Sequence, residues 1–578
     1  MNILKKSSQI YTDNRYYSDM RFLVNNSANL YGDKAAFIVK HKKSRKEFTY
    51  EEVSYNRFRD EVYHFGTALL REGHANKRIA IIGKNRYEWM VAYFAVLGGL
   101  GTCVPLDKGL PYEEVESSLI RSNAEILVFD KDHLPQIEKM KAEGKVPTTT
   151  FIAMDEIDGY KTIKEYIAEG KEAYEAGDDA YDKLPIDVNE VNLLLFTSGT
   201  TSMAKAVMLS TRNLISNLEA IDKVVRMYPE DVSMAFLPYH HTFGSMGQIL
   251  MLSRGVTNAF CDGLRYLQNN LVEYKVSVFF CVPLLIESIY KKVMATVEKE
   301  GKAGKVAFGM KLTGLLMKFG IDIRRKIFKE VLDKLGGDIR LVISGAAAID
   351  PEALKGFRSF GIDAIQGYGM TEASPVISCE TLKENKVGSI GRSLPGVDVA
   401  IFEPNEEGVG ELIARGENVM HGYYENEEET ANVLVDGWLH TGDLAYEEDG
   451  YIFICGRKKS VIVLKNGKNV YPEELEVLIN NLPYVAESMV FGQPKNGDER
   501  DPALAVKIVY NPEYMKSTYN TEDPDEIQKI VKADIDKIND QVPSFKQMAR
   551  VITTDQEMIK TTTGKVKRFE EIKKINLN

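Results

Sequence analysis

A chain of 578 residues is longer than one hydrophobic core usually serves, so more than one domain is expected. Its 44% hydrophobic and 27% charged residues exclude collagen-like, disordered and coiled-coil classes. The net charge of −11 disfavours non-specific nucleic-acid binding, which needs a basic field, so no nucleic-acid partner is expected.

Five scattered cysteines, odd in number and never spaced CxxC, speak against a disulfide framework or a zinc knuckle and fit a reducing compartment. The N-terminal stretch MNILKKSSQIYTDNRYY is basic but lacks an apolar core behind it, so a secretory leader is not expected and the reading is cytoplasmic. Between residues 51 and 130, amphipathic helical patterns alternate with the short apolar runs RIAIIG and EILVFD. That alternation predicts α/β architecture with parallel strands. Residues 89–106 are uncharged and touch the lower limit of about 17 to 18 residues for a membrane span. Gly98, Gly99, Gly101 and Pro105 interrupt them, which reads as a buried helix entering a buried strand. The polar, acidic stretch 165–190 reads as a surface connection.

Next, the apolar run Leu193 to Phe196 empties into a hydroxyl-rich loop. Thr197, Ser198, Thr200, Thr201 and Ser202 offer donors, Gly199 permits close backbone approach and Lys205 adds charge, a set that suits a polyphosphate. Ala204-Lys205-Ala206 lacks the second glycine and the magnesium hydroxyl of a P-loop. Alone, the segment would read equally well as a Ser/Thr-rich turn after a strand. Residues 291–336 carry twelve Lys/Arg against five Asp/Glu with apolar residues at helical spacing. Such a helix most often packs on its own domain, and the alternative is peripheral contact with an anionic membrane. Short strands with Gly and Pro turns over 387–455 predict a small β unit, and the sequence past 460 predicts a compact α+β module. The boundary falls at Gly456 to Ser460, giving domains 1–459 and 460–578.

Six ordered segments, spanning about residues 30 to 570, together resemble the adenylate-forming ligases, the superfamily of acyl-CoA synthetases, peptide-synthetase adenylation domains and luciferases. They are the loop around TSGTTSMAKA, LPYHHTFG at 237–244, SGAAAID at 344–350, GYGMTEASP at 367–375, TGDLAYEEDGYIFICGRKK at 441–459 and KTTTGKVKR at 560–568. The resemblance implies a large N-terminal domain of helix-flanked β-sheets plus a small β unit, followed by a small mobile α+β domain. It also implies ATP-dependent activation of a carboxylic acid to acyl-AMP with pyrophosphate release, then transfer to coenzyme A. Attack of a carboxylate on a phosphate joins two anions, so cations and Mg2+ are required alongside ATP and coenzyme A.

Carried over residue by residue, the resemblance places Thr197, Ser198, Gly199, Thr200, Thr201 and Lys205 on phosphate, and Gly345, Ala346, Ala347, Gly367 and Tyr368 around adenine. Thr371 meets the α-phosphate, Glu372 holds Mg2+, and Asp443 and Arg457 take the ribose. His241 gates the acyl and thiol tunnels, with His240 the second candidate. Lys565 joins carboxylate to phosphate, Ser460 is the hinge, and Gly467 leaves room for the thiol arm. The chain departs from the common pattern at Ser202 and Ala206, where glycine is usual, at Ala204 and Ile559, where proline is usual, and at Ser460, where many relatives carry Asp or Lys. IFKEVLDKLGGDIRLVISGAAAID and NGKNVYPEELE look most like the long-chain fatty acyl-CoA synthetases. A fatty acid and free coenzyme A are therefore expected. An acyl carrier protein as acceptor, an aryl- or amino-acid ligase, and a non-catalytic acyl- or nucleotide-binding module are the alternatives.

Overall fold

The structure is a computed structural model that describes residues 2–11, 15–44, 47–197, 204–347, 349–465, 468–495, 498–560 and 565–577. Ser198, Gly199, Thr200, Thr201, Ser202 and Gly467 lie outside the described residues.

The large domain holds two sheets whose strands are mostly parallel, and a smaller antiparallel one. In a seven-stranded sheet, strands Thr150–Ala153, Ile126–Phe129, Lys77–Ile82, Gly101–Leu106 and Val191–Thr197 run parallel, and Lys205–Ser210 turns back along the last. In a nine-stranded sheet, Ala35–Lys42, Thr257–Phe260, Val232–Ala235, Val278–Cys281, Leu341–Ser344 and Asp363–Gly369 run parallel in that spatial order. The inner strands Ile126–Phe129, Val278–Cys281 and Leu341–Ser344 are mostly apolar and buried on both faces, the usual condition of parallel sheets. The helix Tyr55–Arg71 shows how the sequence sets a helix against the core. Ser54 caps it by accepting from the Arg57 backbone N–H, and Phe58, Val62, Phe65 and Leu69 line its buried stripe.

The uncharged stretch 89–106 becomes the helix Tyr87–Ala95, a short turn and the strand Gly101–Leu106, all within the core, as its glycines predict. Among the described residues, no helix is long and apolar enough to cross a membrane. The reading of 165–190 as a surface connection needs correction. Its first part is the helix Ile163–Glu175, started by a reciprocal capping box between Thr162 and Glu165. Gly170 lets this helix lie directly on the helix Tyr55–Arg71, since a Cβ there would stand 1.8 Å from the His64 carbonyl oxygen. Tyr181, just beyond, is fully buried and donates to the Ala95 carbonyl at 2.9 Å. Charged residues on the outer face concealed the apolar stripe of Ile163, Tyr166 and Ala173.

Residues 398–457 form the small β unit as a five-stranded antiparallel sheet. Beyond Ser460, a three-stranded sheet (Val485–Lys495, Asp498–Tyr510, Met548–Thr554) packs with helices Pro472–Asn480 and Pro524–Asn539 around its own core of Leu475, Val490, Val506 and Val531. One contact between this module and the large domain is a hydrogen bond that Lys291 Nζ donates to the Asn480 carbonyl at 2.8 Å. The basic stretch 303–317 is a helix, but only part of it packs inward.

Candidate active site

Ligand sites in parallel α/β sheets lie beyond the carboxyl ends of the strands, where backbone groups and following loops converge. Here several sequence-predicted residues, together with Asp107, which the sequence did not single out, come after the carboxyl ends of strands in both large sheets. Asp107 follows Gly101–Leu106, Thr197 ends its strand, and the His240-His241 turn follows Val232–Ala235. Gly345 to Ala347 follow Leu341–Ser344, and Thr371 and Glu372 follow Asp363–Gly369.

Thr197 and Lys205 are paired across the hairpin that carries the hydroxyl-rich loop, and Thr197 Oγ1 donates to the Lys205 carbonyl at 3.3 Å. The Lys205 ammonium pairs with Glu429 and lies 4.8 Å from the centre of the Tyr423 ring. Ala206 sits within the strand Lys205–Ser210, extended and buried, so its departure from glycine carries no backbone strain. Ala204 offers its carbonyl to Arg121 at 2.7 Å.

Gly345 is buried where a Cβ would come within 3.1 Å of the Phe243 ring and 3.4 Å of the Gly367 carbonyl. A side chain there would therefore press on the Phe243 ring, at a position the resemblance gives to adenine. Ala346 adopts φ +73, a left-handed conformation unusual for a residue with a Cβ. Such strain collects where surrounding structure over-determines a loop at a binding site. At the next strand end, Tyr368 donates to Asp443 Oδ2 at 2.6 Å, and Arg457 Nε meets Asp443 Oδ1 at 2.9 Å. Asp443 and Arg457 are direct cross-strand partners in the small β unit, which explains how residues 14 apart in sequence meet. Burial and the neighbouring carboxylate push the Tyr368 phenol well above its usual range, so it stays a donor.

Glu372 lies in the short turn Thr371–Ala373, and the Tyr423 hydroxyl donates to its Oε1 at 2.8 Å. The Met420 N–H donates to the Glu372 carbonyl at 2.9 Å. Side chain and backbone are thus both oriented from 418–424, a segment that sequence reasoning did not single out. A tyrosine on the two-residue strand Gly422–Tyr423 shows no periodicity, so the only available signal was its proximity to other motif residues in space.

The turn before the helix Thr242–Ser253 is clamped by Asn85, which donates to the Leu237 carbonyl at 2.7 Å and accepts from the Tyr239 N–H at 3.1 Å. Gly244 is required there because a Cβ would stand 2.1 Å from the Pro238 carbonyl oxygen. The two histidine rings lie 4.4 Å apart, and His240 Nε2 is 3.4 Å from Asp107 Oδ2. Desolvation, then His240, push the His241 imidazole down to about 4, with Asp107 opposing and Lys565 adding to the effect. At neutral pH His241 is uncharged.

Lys565 arrives from the C-terminal module. The residue as a whole is exposed, yet desolvation is the largest influence on its ammonium, which is held below its usual range. The Arg457 guanidinium lowers it further, and Asp443 and Glu372 pull it back up. The structure therefore brings Lys565 into the electrostatic reach of Glu372, Asp443, Arg457 and His241, four residues from three separate motifs. Arg568 does not join them: it binds Glu476 and the Val490 carbonyl inside its own module. Ser460 ends the short turn Lys458–Ser460 between the last strand of the β unit and the C-terminal module.

Comparison with known proteins follows the same division. Residues 24–424 match the model of the AMP-binding enzyme family, and residues 459–575 match that of the AMP-binding enzyme C-terminal domain. The chain is 28% identical to long-chain-fatty-acid–CoA ligase 5 of Rattus norvegicus, over 90% of this chain and 82% of that one. It is 26% identical to fatty acyl-CoA synthetase B of Dictyostelium discoideum, over 95% and 89%. Among solved structures, the anthranilate CoA ligase AuaEII with anthranoyl-AMP superposes with a TM-score of 0.75 at 18% identity, covering 97% of this chain and 98% of that one. The fatty acyl CoA synthetase of Mycobacterium tuberculosis gives 0.64 at 20% identity, covering 96% and 98%. With the family model matched over most of the chain and the C-terminal model over residues 459–575, this chain belongs to the AMP-binding enzyme family, the adenylate-forming ligases.

Proposed function

We propose that the protein activates a long-chain or medium-chain fatty acid with ATP and transfers the acyl group to coenzyme A. The observation that carries this is the convergence of Lys565 with Glu372, Asp443, Arg457 and His241. One cation brought from a second domain meets the carboxylates of a nucleotide-shaped slot, beside an uncharged histidine. Relatives named as long-chain fatty-acid CoA ligases match nearly the whole chain and support the acyl class.

In the first half-reaction a carboxylate oxygen of the acid attacks the α-phosphorus of ATP, and pyrophosphate leaves. In this reading the Lys565 ammonium bridges the two anions, and Thr371 and Lys205 serve the phosphates. Asp443, already accepting from Tyr368, retains acceptor capacity for ribose hydroxyls. The Glu372 carboxylate, steered by Tyr423, is an oxygen donor of the kind a hard cation takes. Mg2+ bound there would supply charge neutralisation on the phosphates. In the second half-reaction the thiolate sulfur of coenzyme A attacks the acyl carbonyl carbon, the C–O bond to phosphate breaks and AMP leaves. In this reading neutral His241 borders the acyl path without adding charge. For the thiol to reach the carbonyl, Lys565 must withdraw, which assigns mobility to residues 460–578 with Ser460 as the hinge and residues 1–459 as the fixed part.

The test is product identification by mass spectrometry with ATP, Mg2+, coenzyme A and acids from acetate to long-chain fatty acids. Acyl-CoA, AMP and pyrophosphate in equal amounts, greatest with the longer acids, is the expected result. Acyl-AMP without thioester would redirect the acceptor to an acyl carrier protein. Selective use of aryl or amino acids would overturn the acyl class.

A further inference from the structure

The connection between the parallel strands Val278–Cys281 and Leu341–Ser344 carries the helices Pro283–Lys299 and Ala303–Met317. The second helix is apolar around most of its circumference. One face packs inward: Val306 and Met310 lie against the core that contains Phe328, and a Cβ on Gly309 would stand 3.2 Å from the Phe328 ring. The opposite face meets water. Phe308, Leu312, Leu315 and Phe319 fall at i, i+4, i+7 and i+11, a single stripe at about 100° per residue. Phe308 is 67% exposed, Leu315 54% and Phe319 73%. Contiguous large apolar side chains in water mark an interaction surface.

The charges around the stripe say what it meets. Lys305 and Lys311 stand three residues either side of Phe308, and Lys318 follows the helix end, all three exposed. Residues 302–326 carry Lys302, Lys305, Lys311, Lys318, Arg324, Arg325 and Lys326 against the single acid Asp322, in a chain whose net charge is −11. A second copy placed on this face would oppose lysines with lysines. An anionic bilayer complements both parts at once, because apolar side chains enter the boundary of the acyl chains while lysines reach the headgroups.

We propose that the helix Ala303–Met317 and the turn through Ile321 form a docking face for an anionic lipid bilayer. Phe308, Leu315 and Phe319 insert, and Lys305, Lys311 and Lys318 bind headgroups. The strands on either side of this connection end at the candidate site, with Pro283 and Gly345 next to their carboxyl ends. A docked chain would draw its acid from the membrane in which that acid dissolves. That purpose rests on the fatty-acid reading; the docking itself does not.

The experiment is co-sedimentation of the full chain with phosphatidylcholine vesicles, with and without phosphatidylglycerol. It is run on the wild type, on Phe308→Ser/Leu315→Ser/Phe319→Ser and on Lys305→Glu/Lys311→Glu/Lys318→Glu. The expected result is partitioning to anionic vesicles about tenfold or more above neutral ones, reduced by about tenfold or more in either variant. Turnover of acid supplied without vesicles should be unchanged in both variants, which shows that they fold. Equal binding to both vesicle types, no binding, or wild-type binding by the variants would overturn the proposal. Concentration-dependent self-association lost in the serine variant, without vesicle binding, would assign the face to a second copy instead. Vesicle binding without turnover of any acid would leave the docking standing and remove the fatty-acid reading.

Discussion

In the large domain the charged groups of the site are held by partners nearby: Glu372 by Tyr423, Lys205 by Glu429, and Asp443 by Tyr368 and Arg457. Lys565 reaches the same place from a module whose neighbouring cation, Arg568, is tied inward to Glu476. The first arrangement is a wall of preorganised dipoles and charges, which costs no reorganisation at the moment of reaction. The second is a charge delivered by the position of a whole domain. The contrast explains how one site can favour two successive reactions. On the proposed function the wall would serve nucleotide binding throughout, whereas the lysine would serve only the step in which two anions must meet.

This comparison can be broken or sharpened by substitution. At the wall, Glu372→Gln should lower acid-dependent ATP–pyrophosphate exchange by about a hundredfold and raise the Mg2+ concentration required, as loss of a key electrostatic group does. Tyr423→Phe, which removes only the hydrogen bond that orients Glu372, should lower it by about tenfold, in keeping with hydrogen bonds to charged groups. If both variants kept wild-type exchange rates, the wall would have no part in adenylation. At the joint, Ser460→Pro fixes φ and should slow acyl transfer to coenzyme A by about tenfold while exchange changes less, as measured in single-turnover assays. Equal slowing of both halves would point to misfolding rather than a hinge. Gly345→Ala puts a methyl against Phe243 and should raise KM for ATP by about tenfold, the scale of overpacking, with kcat little altered.

The smallest effect concerns pH. The folded-state pKa of His241, about 4, lies below the ordinary 6.5. Between those values the unfolded chain takes up a proton that the folded chain refuses, so this residue makes stability fall as pH drops from 6.5 towards 4 and leaves it flat above. The ring resonances of His241 should stay those of neutral imidazole at pH 5, and a titration midpoint near 6.5 would contradict its burial.

Much of the architecture was legible because it depends on local pattern. Alternating apolar runs and amphipathic stretches gave the parallel sheets, the glycines of 98–101 gave the buried turn, and the ordered motifs gave the residues that gather at the strand ends. What was not legible depends on tertiary partners. The helix Ile163–Glu175 was hidden because its acidic outer face outweighed a capping box and a close-packed glycine. Tyr423 and Glu429 carry no local signal, being defined by Glu372 and Lys205 more than fifty and two hundred residues away. The helix Ala303–Met317 was visible as a basic apolar segment, yet only the packing of Val306, Gly309 and Met310 reveals which face remains in water.

The most direct test of the delivered charge is Lys565→Ala assayed in the two half-reactions separately, formation of acyl-AMP from acid and ATP, and conversion of supplied acyl-AMP to acyl-CoA. Adenylation should fall by about a hundred- to a thousandfold, the cost of losing one transition-state charge contact, while thioester formation stays within about threefold of wild type. Equal loss in both half-reactions, or full adenylation without the lysine, would contradict the account.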